Sequence, residues 1–129
     1  MRHVIYVFGN PLLKEDSLPL KLLPRLRKEF PDIDFVELDP SDNIHELGKE
    51  LIILDTVQGI RKVEIIENTD SIETGKAYSL HDFDLGQNLK LMKKLELIER
   101  IRIIGIPMGM NKNEAIEQVR IILQNLFSK

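Results

Sequence analysis

The chain has 129 residues, of which 43% are hydrophobic and 30% are charged, and its formal net charge is −3 at pH 7. This length and composition predict one globular domain, residues 1–129, with a hydrophobic core large enough to be stable without disulfide cross-links. The charges are mixed in sign and form no basic patch of the kind that binds nucleic acid. No apolar run reaches the ~20 residues of a membrane span. The lack of cysteine excludes disulfides and thiol catalysis. These features are compatible with a cytoplasmic protein that does not insert into a membrane. Because the sequence shows no heptads and no interface stripe, we expect a monomer.

The first predicted strand is the apolar run 4–8, which ends at a Gly-Asn-Pro breaker. An unbroken apolar run bounded by turn residues is typical of a strand that is covered on both faces of a parallel sheet. Leucines at helical spacing then predict a helix with Asp16 or Ser17 as its N-cap. Pro24 lies inside this helix, and we expect it to kink or split the helix at a cost of ~3 kcal/mol.

Strands and helices continue to alternate along the chain. The sequence predicts a second strand at 33–38, a short helix at 42–48, and a third strand at 51–54 that ends in Asp55. The connection 56–60 is too short for a crossover between parallel strands, which takes about a dozen residues or more. Residues 61–67 are therefore predicted to run back antiparallel at a sheet edge.

The remaining elements complete an α/β pattern. Apolar residues at helical spacing over 85–95 predict a third helix, 101–106 is the last strand, and 112–127 is the last helix. The predicted fold is a three-layer α/β/α sandwich around a mostly parallel, twisted sheet of about five strands with one antiparallel edge strand.

Acidic residues follow two of the predicted strands. With right-handed crossovers, strands two and three flank strand one, so the strand order reverses between strands one and three. Glu15 and Asp16 follow strand one and Asp55 ends strand three, which places these carboxylates across the switch point. His81 lies on the same side if the third helix leads into the last parallel strand. Two carboxylates and an imidazole form an O,O,N set with open positions, suited to a divalent metal such as Zn, Fe, Mn or Ni.

Each of these residues also has a purely structural interpretation. Asp16 is explained as a helix cap that complements the helix dipole. Asp55 is explained as an Asx-turn residue, and His81 as a solvated loop side chain. The residue pattern alone leaves these alternatives open.

Two other classes of protein share part of the pattern. A receiver-like signalling module has its acid pair directly after the first strand and a Lys after the last one. Here Gly-Asn-Pro-Leu-Leu-Lys separates the strand from the acids, and 107–111 contains no Lys. A flavodoxin-like binding module has a phosphate loop after strand one, which is absent from this sequence. A non-catalytic module of either kind that binds a metal or another ligand is the alternative function.

Three segments, 9–16, 54–59 and 79–82, resemble motifs of the hydrogenase maturation endopeptidases. The first matches Gly-Asn-x-Leu-x-x-acid-acid, the second is an apolar strand that ends in Asp, and the third contains Ser-x-His, in the order of the family. Gly105-Ile106-Pro107 is similar to the Gly-Ile-x-Pro region of that family. The resemblance covers most of the chain. It departs from the family at Ser17 and Pro19, where members usually carry at least one Gly, and in a shorter stretch between the second and third motifs.

The resemblance implies an aspartyl endopeptidase, a hydrolase that removes a C-terminal peptide from the precursor of a nickel-iron hydrogenase large subunit after nickel insertion. The family positions that contact the metal correspond to Asp16, Asp55 and His81, which are then the catalytic and metal-binding residues. Glu15 aligns with an acid that is not a ligand in the family. Nickel is supplied by the substrate precursor, and other divalent metals could occupy the site in vitro.

Overall fold

The computed structural model describes residues 3–8, 17–38, 50–67, 79–80, 95–96 and 98–127. The elements of this described part, in chain order, are β1 (His3–Val7), α1 (Leu18–Glu29), β2 (Ile33–Glu37), β3 (Glu50–Gln58), β4 (Glu64–Ile66), β5 (Ser79–Leu80), β6 (Arg100–Pro107) and α2 (Lys112–Phe127). The predicted helix at 42–48 lies outside the described residues. The predicted third helix does too, except for its last residue, Leu95, which lies in a turn.

The described strands form one sheet in the order β2-β1-β3-β6-β4, and β5 pairs with β3. Strands β1, β2, β3 and β6 are parallel to one another, whereas β4 runs antiparallel to β6 and β5 runs antiparallel to β3. The mostly parallel α/β sheet and its antiparallel edge strand are therefore confirmed. The reversal of strand order between β1 and β3 is confirmed as well. The short strand β5 was not predicted.

Apolar side chains fill both faces of this sheet, because successive residues of a strand point to opposite sides. On the first face, α1 and α2 cover a layer of strand residues that comprises Ile5, Val7, Ile33, Phe35, Ile52, Leu54, Ile104 and Ile106. On the second face the buried residues are Phe8, Leu51, Ile53, Val57, Ile66, Ile98, Ile101 and Ile103. Burial on both sides explains why the parallel strands read as continuous apolar runs.

Helix α1 is continuous through Pro24, so the prediction that this proline splits the helix is wrong. Ser17 is the N-cap residue, and its carbonyl accepts the N–H of Lys21 at 3.1 Å. Pro24 lies on the exposed side of the helix. There water can hydrogen-bond the carbonyl that loses its partner when proline replaces an N–H donor. The buried side of α1, including Leu22 and Leu26, holds the helix on the sheet.

Helix α2 has the predicted bounds, Lys112–Phe127. Asn111 caps it, because its Oδ1 accepts the main-chain N–H groups of Asn113 at 2.8 Å and of Glu114 at 3.4 Å. An ion pair of 3.2 Å between Arg120 and Glu29 joins α2 to the end of α1. Neither α1 nor α2, the two helices within the described ranges, is long and apolar enough to cross a membrane.

At the amino end of β6, Arg100 donates a 2.8 Å hydrogen bond to Glu67, the residue after β4. This hydrogen bond, together with the negative charge of Glu67, raises the pKa of Arg100 above its ordinary value. The contact is exposed to solvent and lies at the other end of β6 from Gly105, so it belongs to the edge of the sheet and not to the candidate site.

Candidate functional site

Asp55 lies inside β3, so the prediction that this strand ends at Asp55 is wrong. The strand continues because residues up to Val57 pair with β6, where Asp55 is opposite Gly105 and Val57 is opposite Pro107. Its last residue, Gln58, pairs with Ser79 of β5. The length of a strand depends on the partner that it meets in the sheet, and a local apolar pattern does not contain that information.

On its other edge, β3 extends beyond the end of β1. The last pair between these strands joins Val7 to Leu54, and Asp55 is the next residue of β3. Further along the same edge, β5 pairs with β3 and places Leu80 opposite Val57. This must be the β1 edge because β6 occupies the opposite edge at Val57. Asp55 therefore lies between the carboxyl ends of β1 and β5, at the switch point of the sheet.

The carboxylate of Asp55 is buried, with only 2% of the residue exposed. Its Oδ1 accepts the main-chain N–H of Thr56 at 2.8 Å. The side chain belongs to the second face, since Ile53 and Val57, two positions away in either direction, are buried there. This bond joins adjacent residues within a strand and differs from an Asx-turn, in which the acceptor binds an N–H two residues further on.

This hydrogen bond lies on the edge of β3 where the pairing changes from β1 to β5. The carbonyl of Leu54 faces that edge, because it accepts the N–H of Phe8 at 3.0 Å. Main-chain groups of alternate residues point to the same edge, so the N–H of Thr56 faces it too. The Asp55 carboxylate thus accepts the N–H of Thr56 between the segments of β3 that pair with β1 and with β5, and this bond fixes the orientation of the carboxylate. Burial of a carboxylate costs free energy that hydrogen bonds must offset, which makes this position a candidate functional site.

Asp16 and His81, the other two predicted site residues, lie outside the described residues, as does Glu15. Their predicted roles stay predictions. The described residue after Asp16 is Ser17, the buried N-cap of α1. The described residue before His81 is Leu80, whose partner Val57 lies two positions after Asp55.

Among the residues that the structure describes, no three His, Asp or Glu side chains come together as a possible metal group. Two of the three predicted ligands are outside these residues, so this observation does not bear on the predicted set. Asp55 itself supplies carboxylate oxygens, which zinc, manganese and related divalent ions accept as ligands.

The sequence reasoning gave no role to Gly105, although the structure places it directly opposite Asp55. A signal was available, because a glycine inside an apolar strand indicates a bulge or a close approach of neighbouring atoms. Gly105 interrupts the run Ile-Ile-Gly-Ile, which otherwise reads as a buried strand.

The fold of the chain is that of solved hydrogenase maturation proteases. One similar structure is a NiFe hydrogenase maturation protease, HycI, from Thermococcus kodakarensis KOD1, with a TM-score of 0.60, 21% identity, and coverage of 97% of this chain and 92% of that chain. Another is the hydrogenase 3 maturation protease, with a TM-score of 0.57, 20% identity, and coverage of 92% and 86% respectively. An uncharacterized protein from Wolinella succinogenes matches over 100% of both chains, with a TM-score of 0.56 and 16% identity.

No protein-family model and no curated protein matches the chain. At 16% to 21% identity, the solved structures establish the fold. They confirm, for the fold, the resemblance to hydrogenase maturation proteases that the three sequence motifs predicted.

Proposed function

We propose that this chain is an endopeptidase of hydrogenase maturation. It removes a C-terminal peptide from the precursor of a nickel-iron hydrogenase large subunit after nickel has been inserted. The observation that carries the proposal is Asp55, a buried carboxylate between the carboxyl ends of β1 and β5, in the fold of solved hydrogenase maturation proteases. The site of a ligand in an open α/β sheet is expected at this switch point.

In this proposal, nickel belongs to the substrate. Asp16, Asp55 and His81 supply two carboxylates and an imidazole, too few donors to saturate a divalent ion. The remaining positions are filled by the precursor's own ligands. Without the ion, the three side chains have nothing through which to anchor the precursor, so the enzyme distinguishes loaded from unloaded substrate.

The role of the chain's own residues is to hold and orient the substrate. Asp55 is suited to this role because the N–H of Thr56 holds its carboxylate within a buried strand, and little motion is then lost on binding. Orientation of the scissile peptide can supply a large part of the rate enhancement, and the substrate's ion can polarise a carbonyl or a water. No Ser or Cys nucleophile is required.

The test incubates the full chain with candidate large-subunit precursors, each prepared with and without nickel, and measures the intact mass of the precursor. We expect a C-terminal mass loss from one nickel-loaded precursor and none from its nickel-free form. Cleavage in the absence of nickel would contradict the metal-reading mechanism. Failure to cleave any loaded precursor would contradict the proteolytic function itself.

The cytoplasmic location and monomeric state expected from the sequence are part of this proposal. Fractionation of the source cells tests the location, and light scattering of the purified chain tests the monomeric state.

A further inference from the structure

Because Gly105 has no side chain, it leaves room for the side chain of Val57, which lies two positions after Asp55 in β3. A Cβ atom at position 105 would lie 2.8 Å from Cγ2 of Val57 and 3.2 Å from Cδ1 of Ile60. Carbon atoms in contact are about 3.5–4.0 Å apart, so the first of these distances requires Val57 to move. The second is relieved by a small rotation at the far end of the Ile60 side chain. Val57 therefore occupies space that exists because residue 105 has no side chain.

Val57 has little freedom to move away. It is fully buried, and its β-branched side chain is restricted at χ1. Its carbonyl accepts the N–H of Met108 at 3.2 Å, and on the other edge of β3 it pairs with Leu80 of β5. A displacement of Val57 is therefore transmitted to the main chain of β3 and to its pairing with β5.

We propose that Gly105 is a positioning residue for the candidate site. Its missing side chain lets Val57 pack beside Asp55 and keeps β5 paired with β3 at Leu80, the residue from which the chain continues to His81. The effect on the β3–β5 pairing stands on these contacts alone. The effect on cleavage rests on the proposed function.

The test compares Gly105→Ala with the wild type in two measurements. Hydrogen exchange of the amides of Gln58 and Ser79, which are paired directly across β3 and β5, reports this pairing, and we expect faster exchange in the variant. The kcat/KM for cleavage of the nickel-loaded precursor should fall by about 10- to 100-fold, mainly through kcat, since a misplacement of about 1 Å can cost 10²-fold. Val57→Ala removes the clashing Cγ2 atom, so adding it to Gly105→Ala should restore slow exchange and most of the lost kcat.

Val119→Ala is the matched control for a general loss of stability. Val119 is fully buried in α2 on the first face of the sheet, away from β5. This control should lower Tm while leaving exchange at Gln58 and Ser79 and kcat unchanged. Normal exchange at these two amides in Gly105→Ala, or no restoration by Val57→Ala, would overturn the inference. If the wild type cleaves no precursor, the proposed function fails, and the exchange measurement still decides the role of Gly105.

Discussion

Asp55 accepts the main-chain N–H of Thr56 at 2.8 Å, on the edge of β3 that faces β1 at Leu54 and β5 at Val57. The bond orients the Asp55 carboxylate through a main-chain donor. An amide oxygen can accept the same N–H. Charge and hydrogen bonding at this position can therefore be separated by mutation.

Asp55→Asn should abolish processing and leave the protein folded. The amide keeps an acceptor for Thr56, so we expect the free energy of unfolding to change by about 1 kcal/mol or less, whereas Asp55→Ala should cost about 1–3 kcal/mol. Precursor mass and urea denaturation measure the two effects. Glu50→Gln, at the exposed start of the same strand, is the matched control and should process normally. Full processing by Asp55→Asn would refute the assignment of this carboxylate.

Asp16→Asn and His81→Ala should each abolish processing of nickel-loaded precursor, because each removes a proposed contact with the substrate's ion. The matched controls are Asp32→Asn and His3→Ala. Asp32 lies in the exposed turn before β2. His3 is exposed at the amino end of β1, where its ring stacks on that of Phe127 with the ring centroids 4.2 Å apart. Equal activity of either site variant and its control would remove that residue from the proposed set.

Asn111→Ala should lower the free energy of unfolding by about 0.5–2 kcal/mol, because two N–H groups in the first turn of α2 lose their side-chain acceptor. Urea denaturation measures the loss. Asn113→Ala changes the same residue type inside the exposed first turn and should leave stability within about 0.7 kcal/mol of the wild type or raise it slightly. An equal effect of the two substitutions would mean that Asn111 is not a cap.

Pro24→Ala should stabilise the protein. Alanine restores the missing helical N–H, a gain of up to about 3 kcal/mol, which is reduced by about 0.4–1 kcal/mol because the unfolded chain becomes more flexible. We expect a net gain of about 1–2 kcal/mol from thermal or urea unfolding. Pro19→Ala is the control, since Pro19 lies at the start of α1, where proline is tolerated, and the substitution should give no gain. A loss of stability in Pro24→Ala would show that the proline is favourable in this helix.

Local patterns predicted most of the elements correctly. The spacing of apolar residues within a single segment is enough to predict β1, α1 and α2. Connection lengths then predicted the antiparallel direction of β4 and the reversal of strand order between β1 and β3, since chain reach and crossover handedness leave few alternatives.

What depended on pairing between distant segments was predicted poorly. The extension of β3 past Asp55 needs β6, and the pairing of Leu80 with Val57 needs the gap that β1 leaves on the other edge. The space at Gly105 is visible only when Val57 lies beside it.

The sequence by itself determined the α/β class, the positions of β2 and β3 on either side of β1, and the choice of Asp55 as a site residue, because apolar periodicity, turn residues and loop lengths are local properties. Only the tertiary structure decided that Asp55 is buried within a strand, bonded to Thr56 and opposite Gly105. The physical reason is that β3 extends past Asp55, and buries it, through pairing with β6, a segment about 50 residues away, and the pattern within one segment does not specify its partner. The bond from Thr56 to Asp55 joins neighbours in sequence, but it lies within this extended part of the strand.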